Sequence, residues 1–520
     1  MRCLNPVLRG MNADPSVCRR GDDYYLATSS FETLPALPVY HSRDLVNWRL
    51  VGHALEQPTG SGPRLCTYAP TIRFARGRFY LVGTDVTGIG NFVVSATEAE
   101  GPWGEPVPID ADMFDPSLCF SADGTVYYTR RGSIADKDIV QAEIDPDTGR
   151  LLSPLRPIAT GFVSDDAEGP HLYEIGGTWY LLLAEGGSRA LHMATIGRSS
   201  SPWGPFEPCP HNPFLAQHHA WWHPLLGAGH AELFEAHDGS WWTTFLATRH
   251  PSYDALCHLG RETFLAPVGW ADGWPTVPVE ATHRLELSPP GLTAHPWPSP
   301  ARRDLFSGDH LDRRWVSIGR TDQPRWTLTS PGLALVGGPS WAEVSATGAV
   351  PTVLARRQED LCCEATTRVR LGPEPAEAGL ITYLTSEYHY SLVARRSGPD
   401  RLEIVLRKQV GDLSVESEPI VVAGTAVTLR LVADADAYRF EVLGPAGNWV
   451  EVGRGLTRLL GGELAQTWNG VLVGLWAGSG QPQSAGTAGA AATAEWFDYV
   501  GLDPGRSEQG ERQSRIAESS

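Results

Sequence analysis

Asp14-Pro15-Ser16-Val17 leads through a turn into Asp23-Tyr24-Tyr25-Leu26, and this pair of elements returns four more times in the first 300 residues. The later opening segments are Ala69-Pro70-Thr71-Ile72, Asp115-Pro116-Ser117-Leu118, Gly169-Pro170-His171-Leu172 and His230-Ala231-Glu232-Leu233. Their partners are Arg78-Phe79-Tyr80-Leu81, Thr125-Val126-Tyr127-Tyr128, Thr178-Trp179-Tyr180-Leu181 and Ser240-Trp241-Trp242-Thr243. Counted from the second residue of each opening segment, the aromatic (Tyr25, Tyr80, Tyr127, Tyr180, Trp241) stands ten residues on in four copies and eleven in the third. Three copies add a downstream element: Ser42-Arg43-Asp44-Leu45-Val46-Asn47-Trp48, Glu98-Ala99-Glu100-Gly101-Pro102-Trp103 and Ser199-Ser200-Ser201-Pro202-Trp203. Five units at a period of about fifty residues predict a five-bladed β-propeller, each blade a four-stranded sheet.

Past about Ser288 the texture changes. Ser288-Pro289-Pro290-Gly291 to Pro296-Trp297-Pro298-Ser299-Pro300 is a proline-dense linker. Beyond it Cys363, Ala365, Thr367, Val369 and Leu371 alternate with Glu364, Thr366, Arg368 and Arg370, as Val427, Leu429 and Leu431 do with Thr428 and Arg430. Period two with one apolar face predicts a two-sheet β-sandwich. The expected organisation is all-β: a five-bladed propeller over residues 1–295, a sandwich over 296–505, and a polar, disordered tail over 506–520. The Gly/Ala/Ser-rich stretch Gly478–Ala494 reads as a loop.

Composition excludes several classes. Hydrophobic residues at 42% and charged residues at 20% are too globular for a disordered chain. Asp+Glu 60 against Lys+Arg 42 sets a net charge of −18, a field that repels phosphate backbones and anionic lipid. Neither nucleic acid nor a membrane is therefore an expected partner. No window approaches the run of about 20 apolar residues that a membrane helix needs. Met1-Arg2-Cys3-Leu4-Asn5-Pro6 carries no apolar export segment, so the expected setting is the cytoplasm. The eight cysteines, of which only Cys362 and Cys363 adjoin, lack metal-ligand spacing and read as free thiols. G-x-x-x-x-G-K-[ST], H-E-x-x-H, C-x-x-C and G-x-S-x-G are all missing, which removes the usual support for ATP-driven, zincin, thioredoxin-like and serine-hydrolase chemistry.

The repeat also places charge. In a propeller the inner strand of each blade lines the central channel, so matched phase sets Asp14, Ala69, Asp115, Gly169 and His230 around one mouth, with Glu168 beside Gly169. A lone Asp-Pro is most often a turn, but three carboxylates at equivalent positions crowd like charges, which is costly unless the cluster has work to do. Glycosidic cleavage wants such a set: one acid to protonate the leaving oxygen, one base or nucleophile, and a third group to hold the acid's proton. Phe31 and Tyr68 are aromatics suited to the apolar face of a sugar ring, with packing between blades as the alternative.

These residues resemble glycoside hydrolase family 43, in its β-xylosidase branch. The likeness is carried by Asn5-Pro6-Val7-Leu8, Asn12-Ala13-Asp14-Pro15-Ser16, Thr28-Ser29-Ser30-Phe31-Glu32, Phe114-Asp115-Pro116-Ser117-Leu118, Glu168-Gly169-Pro170-His171-Leu172-Tyr173, Glu185-Gly186-Gly187, Gly229-His230-Ala231-Glu232 and Leu259-Gly260-Arg261-Glu262-Thr263. In the sandwich it continues at Ala355-Arg356-Arg357-Gln358 and Phe497-Asp498-Tyr499, and it implies a jelly-roll or concanavalin-like fold there. The resemblance implies exo-acting hydrolysis with inversion, releasing β-D-xylose from the non-reducing ends of short xylo-oligosaccharides in xylan degradation. It implies Asp14 as general base, Glu168 as general acid and Asp115 as the residue that tunes and positions Glu168. Arg261 would contact the terminal sugar. His230 would lie at the channel floor, where the family can hold a calcium ion through water; no cofactor is otherwise required. A homo-oligomer is implied as well.

Four departures bear on the sugar: Tyr68 where the branch has tryptophan, Ser188 in place of threonine after Glu-Gly-Gly, and the stretches Leu34-Pro35-Ala36-Leu37-Pro38 and Gln217-His218-His219-Ala220-Trp221-Trp222. They leave open an α-L-arabinofuranosidase or a dual enzyme. A non-catalytic carbohydrate-binding protein is the alternative from another class, and retention of all three carboxylates argues against it. A retaining, sucrose-type propeller hydrolase lacks its Trp-x-Asn-Asp-Pro and Arg-Asp-Pro elements here.

Overall fold

The computed structural model describes residues 3–133, 135, 137–217, 225–250, 256–287, 290–320, 325–372, 376–479 and 490–503. They divide into two compact units: Met1–Asp254 with Arg261–Trp297, and Ala255–Gly260 with Pro298–Ser520.

In the first unit each aromatic repeat forms one antiparallel sheet. The first blade runs Ser16–Arg20, Asp23–Ala27, Ala36–Ser42, Arg49–Leu55, and the second Thr71–Ala75, Arg78–Asp85, Gly90–Ala96, Val107–Asp110. The third, fourth and fifth open on Ser117–Phe120, Glu168–Ile175 and Leu225–Glu235, each paired to the next strand in sequence. The hairpin between first and second strands is tight in every blade. It turns on a glycine with positive φ: Gly21, Gly77, Gly124, Gly177 or Gly239.

The repeated aromatics join the blades. Tyr25 meets Phe79 edge-on at 4.8 Å, Tyr80 meets Phe120 at 5.2 Å, Tyr127 meets Trp179 at 5.5 Å, Tyr180 meets Trp270 at 5.6 Å, and Tyr24 meets Phe234 at 6.4 Å. One ring pair thus sits at each of the five junctions, where offset and edge geometries are the favourable ones.

The N-terminal segment closes the ring. Leu8 bridges Thr263 of the last blade, and the Asn5 side chain donates to Leu265 O (2.9 Å) while accepting from Leu265 N (3.0 Å). The shared downstream element is a capped turn: the Asp44 carboxylate accepts the backbone N–H groups of Val46, Asn47 and His295. Trp297 then donates its Nε1 to Asn47 O at 3.1 Å under the Arg49 guanidinium, which ties the first half of the linker to blade one.

The second unit is a sandwich. One sheet contains Gly332–Val336, Ala490–Gly501, Cys363–Leu371, Ala426–Ala433 and Ala437–Leu443 in that spatial order; the other contains Arg401–Val410, Tyr388–Gly398, Ala376–Thr385, Leu472–Ser479 and Thr352–Arg357. The alternation expected for 363–371 and 427–431 holds, with Ala365, Val369, Leu429 and Leu431 in a core shared with Leu392, Leu475 and Phe497. Ala255–Gly260, which falls inside the fifth repeat, groups with this unit: Val471 N donates to His258 O (2.8 Å) and Gly462 N to Cys257 O (3.2 Å).

One expectation is corrected. Gly478–Ser479 end one strand and Ala490–Ala494 begin another, so both ends of Gly478–Ala494 are sheet. Small residues suit the place: Ala492 and Ala494 pair with strands on both sides and are buried in the core, where no larger side chain is needed. Residues 480–489, the stretch 218–222 and the 506–520 tail lie outside the described residues. The seven described cysteines with defined side chains are free thiols, and burial pushes those of Cys18, Cys119 and Cys363 up, which makes them unreactive. Among the described residues no helix is long and apolar enough to cross a membrane.

Candidate active site

The chain turns sharply as it enters the inner strands. Of the five equivalent repeat positions four are left-handed: Asp14 (φ 55°), Asp115 (φ 59°), Gly169 (φ 54°) and His230 (φ 44°). Asp, Asn, His and Gly are the residues that adopt this region most readily, and its recurrence at four equivalent positions sets the same sharp turn at each of these strand entries.

These turns bring the three carboxylates together. Asp14 is 5% exposed; Ser29 Oγ donates to its Oδ2 at 2.5 Å, and Arg261 Nη1 and His230 Nδ1 lie 3.4 and 3.5 Å from its Oδ1. Burial alone would raise the Asp14 carboxyl, but Arg261, His230 and the Ser29 hydrogen bond outweigh it and hold it below the ordinary aspartate value. Asp115 Oδ2 accepts the Gly169 N–H at 3.0 Å, so the third and fourth blades are joined at the residue beside Glu168. Glu168 is held by Arg131 Nη1 on Oε2 (3.2 Å) and by Ser188 Oγ on Oε1 (3.4 Å).

Asp115 and Glu168 titrate as a pair, and both move up: burial acts first on each, the Glu168 and Asp14 carboxylates add to it at Asp115, and at Glu168 burial with Asp166 and Asp14 outweighs the pull of Arg131 and Arg261. Together they keep one proton longer than two separate carboxylates would. One carboxylate pushed down and a buried pair pushed up is the separation that assigns base and acid in a hydrolytic site.

The remaining expected residues gather around this set. Phe31, buried and itself left-handed, meets Tyr68 edge-on at 6.4 Å and lies 5.5 Å below the Arg261 guanidinium; Tyr68 in turn meets Phe114 at 5.7 Å. The Tyr68 hydroxyl is pushed up by burial and by the nearby Cys66 and Asp115, so it stays a neutral donor. His230 faces Asp14 and packs its ring on Gly169, where a Cβ would come within 2.9 Å of Cε1. Burial keeps His230 below the ordinary imidazole value, although Asp14 pulls the other way.

Comparison with known proteins follows the same lines. Residues 3–275 match the model of glycosyl hydrolases family 43, and residues 303–500 match the β-xylosidase C-terminal concanavalin A-like domain. The chain belongs to glycoside hydrolase family 43. It is 38% identical over 514 residues to the non-reducing end α-L-arabinofuranosidase BoGH43B of Bacteroides ovatus, covering 96% of this chain and 95% of that protein. It is 34% identical over 496 residues to a xylan 1,3-β-xylosidase of a Vibrio species, covering 87% of this chain and 90% of the other. The solved structure of Bacteroides ovatus xyloglucan PUL GH43B superposes with a TM-score of 0.88 at 36% identity, over 96% of this chain and all of that one. The protein is thus a glycoside hydrolase of the xylosidase and arabinofuranosidase family.

Three further residues of this family 43 enzyme serve the site without being marked as site residues by the sequence, although Ser29 and Glu185 stand in its motifs. Ser29 donates to the Asp14 carboxylate. Arg131, besides holding Glu168, pairs with Asp166 at 2.8 Å and stacks 5.4 Å from Phe114. Glu185 is fully buried at the end of Thr178–Glu185, and its two oxygens accept the N–H groups of Phe162 (2.6 Å), Val163 (3.0 Å) and Ser164 (2.5 Å) as well as the Thr195 hydroxyl. It thereby fixes the loop that leads into Glu168. A signal existed: the second strands of blades two to five all end on a buried charged residue, Asp85, Arg131, Glu185 or Arg249. A fourth residue, His192, is pushed down to about 3, chiefly by burial, and faces Asp14 as a neutral group.

Proposed function

We propose that this enzyme is an exo-acting, inverting pentosidase that removes single α-L-arabinofuranosyl units from the non-reducing ends of short oligosaccharides. β-D-Xylosyl units are the second reading. The observation that carries the chemistry is the set of three carboxylates that blades one, three and four supply: Asp14 beside Arg261 and Ser29, which hold it down, and Asp115 and Glu168 joined through the Gly169 N–H and both raised. Asp14 then takes a proton from the attacking water, while Glu168 delivers its own to the departing oxygen. Asp115 shares that proton before the reaction and anchors Gly169. Arg261, held over Phe31, is set to bind ring hydroxyls and to keep Asp14 ionised.

The choice of sugar rests on the departures from the β-xylosidase pattern. Tyr68 and Ser188 both stand in the ring of side chains around Asp115 and Glu168, one by its hydroxyl and one by its bond to Oε1. With them goes 38% identity to an arabinofuranosidase over nearly the whole chain. The order of the two sugars is therefore the reverse of the one the sequence alone suggested. For the xylosyl reading speak the 34% identity to a β-xylosidase and the match of the sandwich to a β-xylosidase domain.

Proton NMR of the first turnovers of 4-nitrophenyl α-L-arabinofuranoside, with xylobiose in parallel, tests both levels. Initial release of β-arabinofuranose supports inversion; initial release of the α-anomer means a nucleophile and removes Asp14 from the role of base. Faster turnover of xylobiose would reverse the sugar assignment. Sugar binding with no turnover of either would favour a carbohydrate-binding protein.

A further inference from the structure

The propeller channel holds a charged side chain that the carboxylate site does not use. Arg73 lies on the inner strand Thr71–Ala75, two residues beyond Thr71 and on the same face, so it points into the channel. Its Nε donates to Leu118 O of the third blade at 3.0 Å, and its Nη1 to Ser16 Oγ of the first at 3.4 Å. Nη2 lies 3.4 Å from His171 Nδ1 of the fourth blade, and Nη1 pairs with Glu232 Oε1 of the fifth at 2.5 Å. One guanidinium on the second blade thus reaches all four others.

Its partners are built around it. Glu232 is 1% exposed, and its second oxygen accepts the Val17 N–H at 2.8 Å. His171 is kept neutral by burial and by Arg73, which leaves Nδ1 able to accept. The buried Glu232 carboxylate thus already has its counter-cation in Arg73. A calcium ion asks for six to eight oxygen ligands, roughly, and would stand against Arg73 and Arg261. Among the described residues no group of three His, Cys, Asp or Glu side chains is arranged to hold a metal. His230, the residue the family resemblance assigns to a water-held calcium, is turned to Asp14 and Gly169 instead. The residues present do not fit that ion.

We infer that Arg73 is the resident cation of the propeller channel, clamping the five blades through Glu232, Ser16, Leu118 and His171, and that the enzyme needs no structural metal. The inference does not depend on which pentose is cleaved. It is tested on the purified full chain by metal analysis, thermal unfolding and kcat/KM on an aryl pentoside, before and after dialysis against EDTA and after adding calcium. The expected result is well under one calcium per chain, a melting temperature unchanged within about 1 °C and kcat/KM unchanged within about twofold. One tightly bound calcium per chain, with a fall of several degrees on its removal, overturns the inference. Arg73→Met leaves Glu232 buried without its counter-charge and is expected to lower the melting temperature by about 5–10 °C. Should that variant not fold, Arg73→Lys keeps the charge but loses the forked reach, and a smaller fall is expected. A wild-type melting temperature in either variant overturns the clamp.

Discussion

At the scale of single residues the site works by making like groups unlike. Asp14 and Asp115 occupy the same repeat position and the same backbone conformation, yet Arg261 and Ser29 stand beside one and Glu168 beside the other. Replacing Asp14 with Asn should lower kcat by about 10²–10⁴ on every substrate, since a neutral amide takes no proton from water. Glu168→Gln should cost about as much on an oligosaccharide and much less on a nitrophenyl glycoside, whose leaving group needs little help; equal losses would contradict its role as acid. Asp115→Asn separates stability from activity. The raised pKa of Asp115 contributes stability only below its unfolded value near 3.8, and that contribution is lost as pH rises through the higher folded value. At neutral pH the charged carboxylate is therefore a cost, and Asn, which still accepts the Gly169 N–H, should raise stability by on the order of 1 kcal/mol. The same change should lower kcat. It should also move the alkaline limb of the kcat/KM profile to lower pH, because Glu168 no longer shares its proton, while the acid limb, set by Asp14 below 3.8, stays in place.

At the scale of elements, strand ends rather than strand middles carry the site. The inner strands begin with the left-handed turns that aim Asp14, Asp115 and His230, and the second strands end on charges that hold the intervening loops. Glu185 is the clearest case. Glu185→Gln keeps size but turns an NH₂ towards N–H donors, so it should cost about 2–4 kcal/mol and loosen the approach to Glu168. Thermal unfolding checks the first effect. A drop in kcat of about tenfold or more at nearly constant KM checks the second, since geometry at the acid would change while the sugar pocket would not. This is also where the sequence became hard to read. The carboxylate ring was legible because it repeats in phase. Arg131 and Glu185 do share the position that ends a second strand, but the residue type there changes from blade to blade, and the partners of Ser29, Arg131 and Glu185 stand 10 to 37 residues away, across loops of unequal length. The strand ends of Gly478–Ala494 escape the sequence for a related reason: composition registers small residues, not the partner strands that surround Ala492 and Ala494.

For the whole molecule, closure is the step on which the five sheets depend. The last blade is sealed by residues from the opposite end of the chain, and Asn5 spans 260 residues to pair both backbone groups of Leu265. Asn5→Ala strands that donor and acceptor in a buried place and should lower propeller stability by about 1–3 kcal/mol, read by thermal unfolding, with kcat/KM at low temperature unchanged within about twofold. The five-blade plan and its sandwich companion could be read from spacing and alternation, since both leave a period in the chain. The clamp at Arg73 could not, because its four partners are brought near only by closure. The left-handed mouth has one more consequence. At four of five equivalent positions the backbone favours Gly, Asn, Asp and His over bulkier residues, which take that conformation only where packing supports them, as at Phe31, and three of those four can carry charge, bind water or pass a proton. The scaffold thus restricts its own alphabet to reactive letters at the one rim where ligands arrive. A diversified library at these codons should return mostly that short list among folded members, so new specificities would have to be sought in the neighbours, Phe31, Tyr68 and Ser188, rather than in the rim itself.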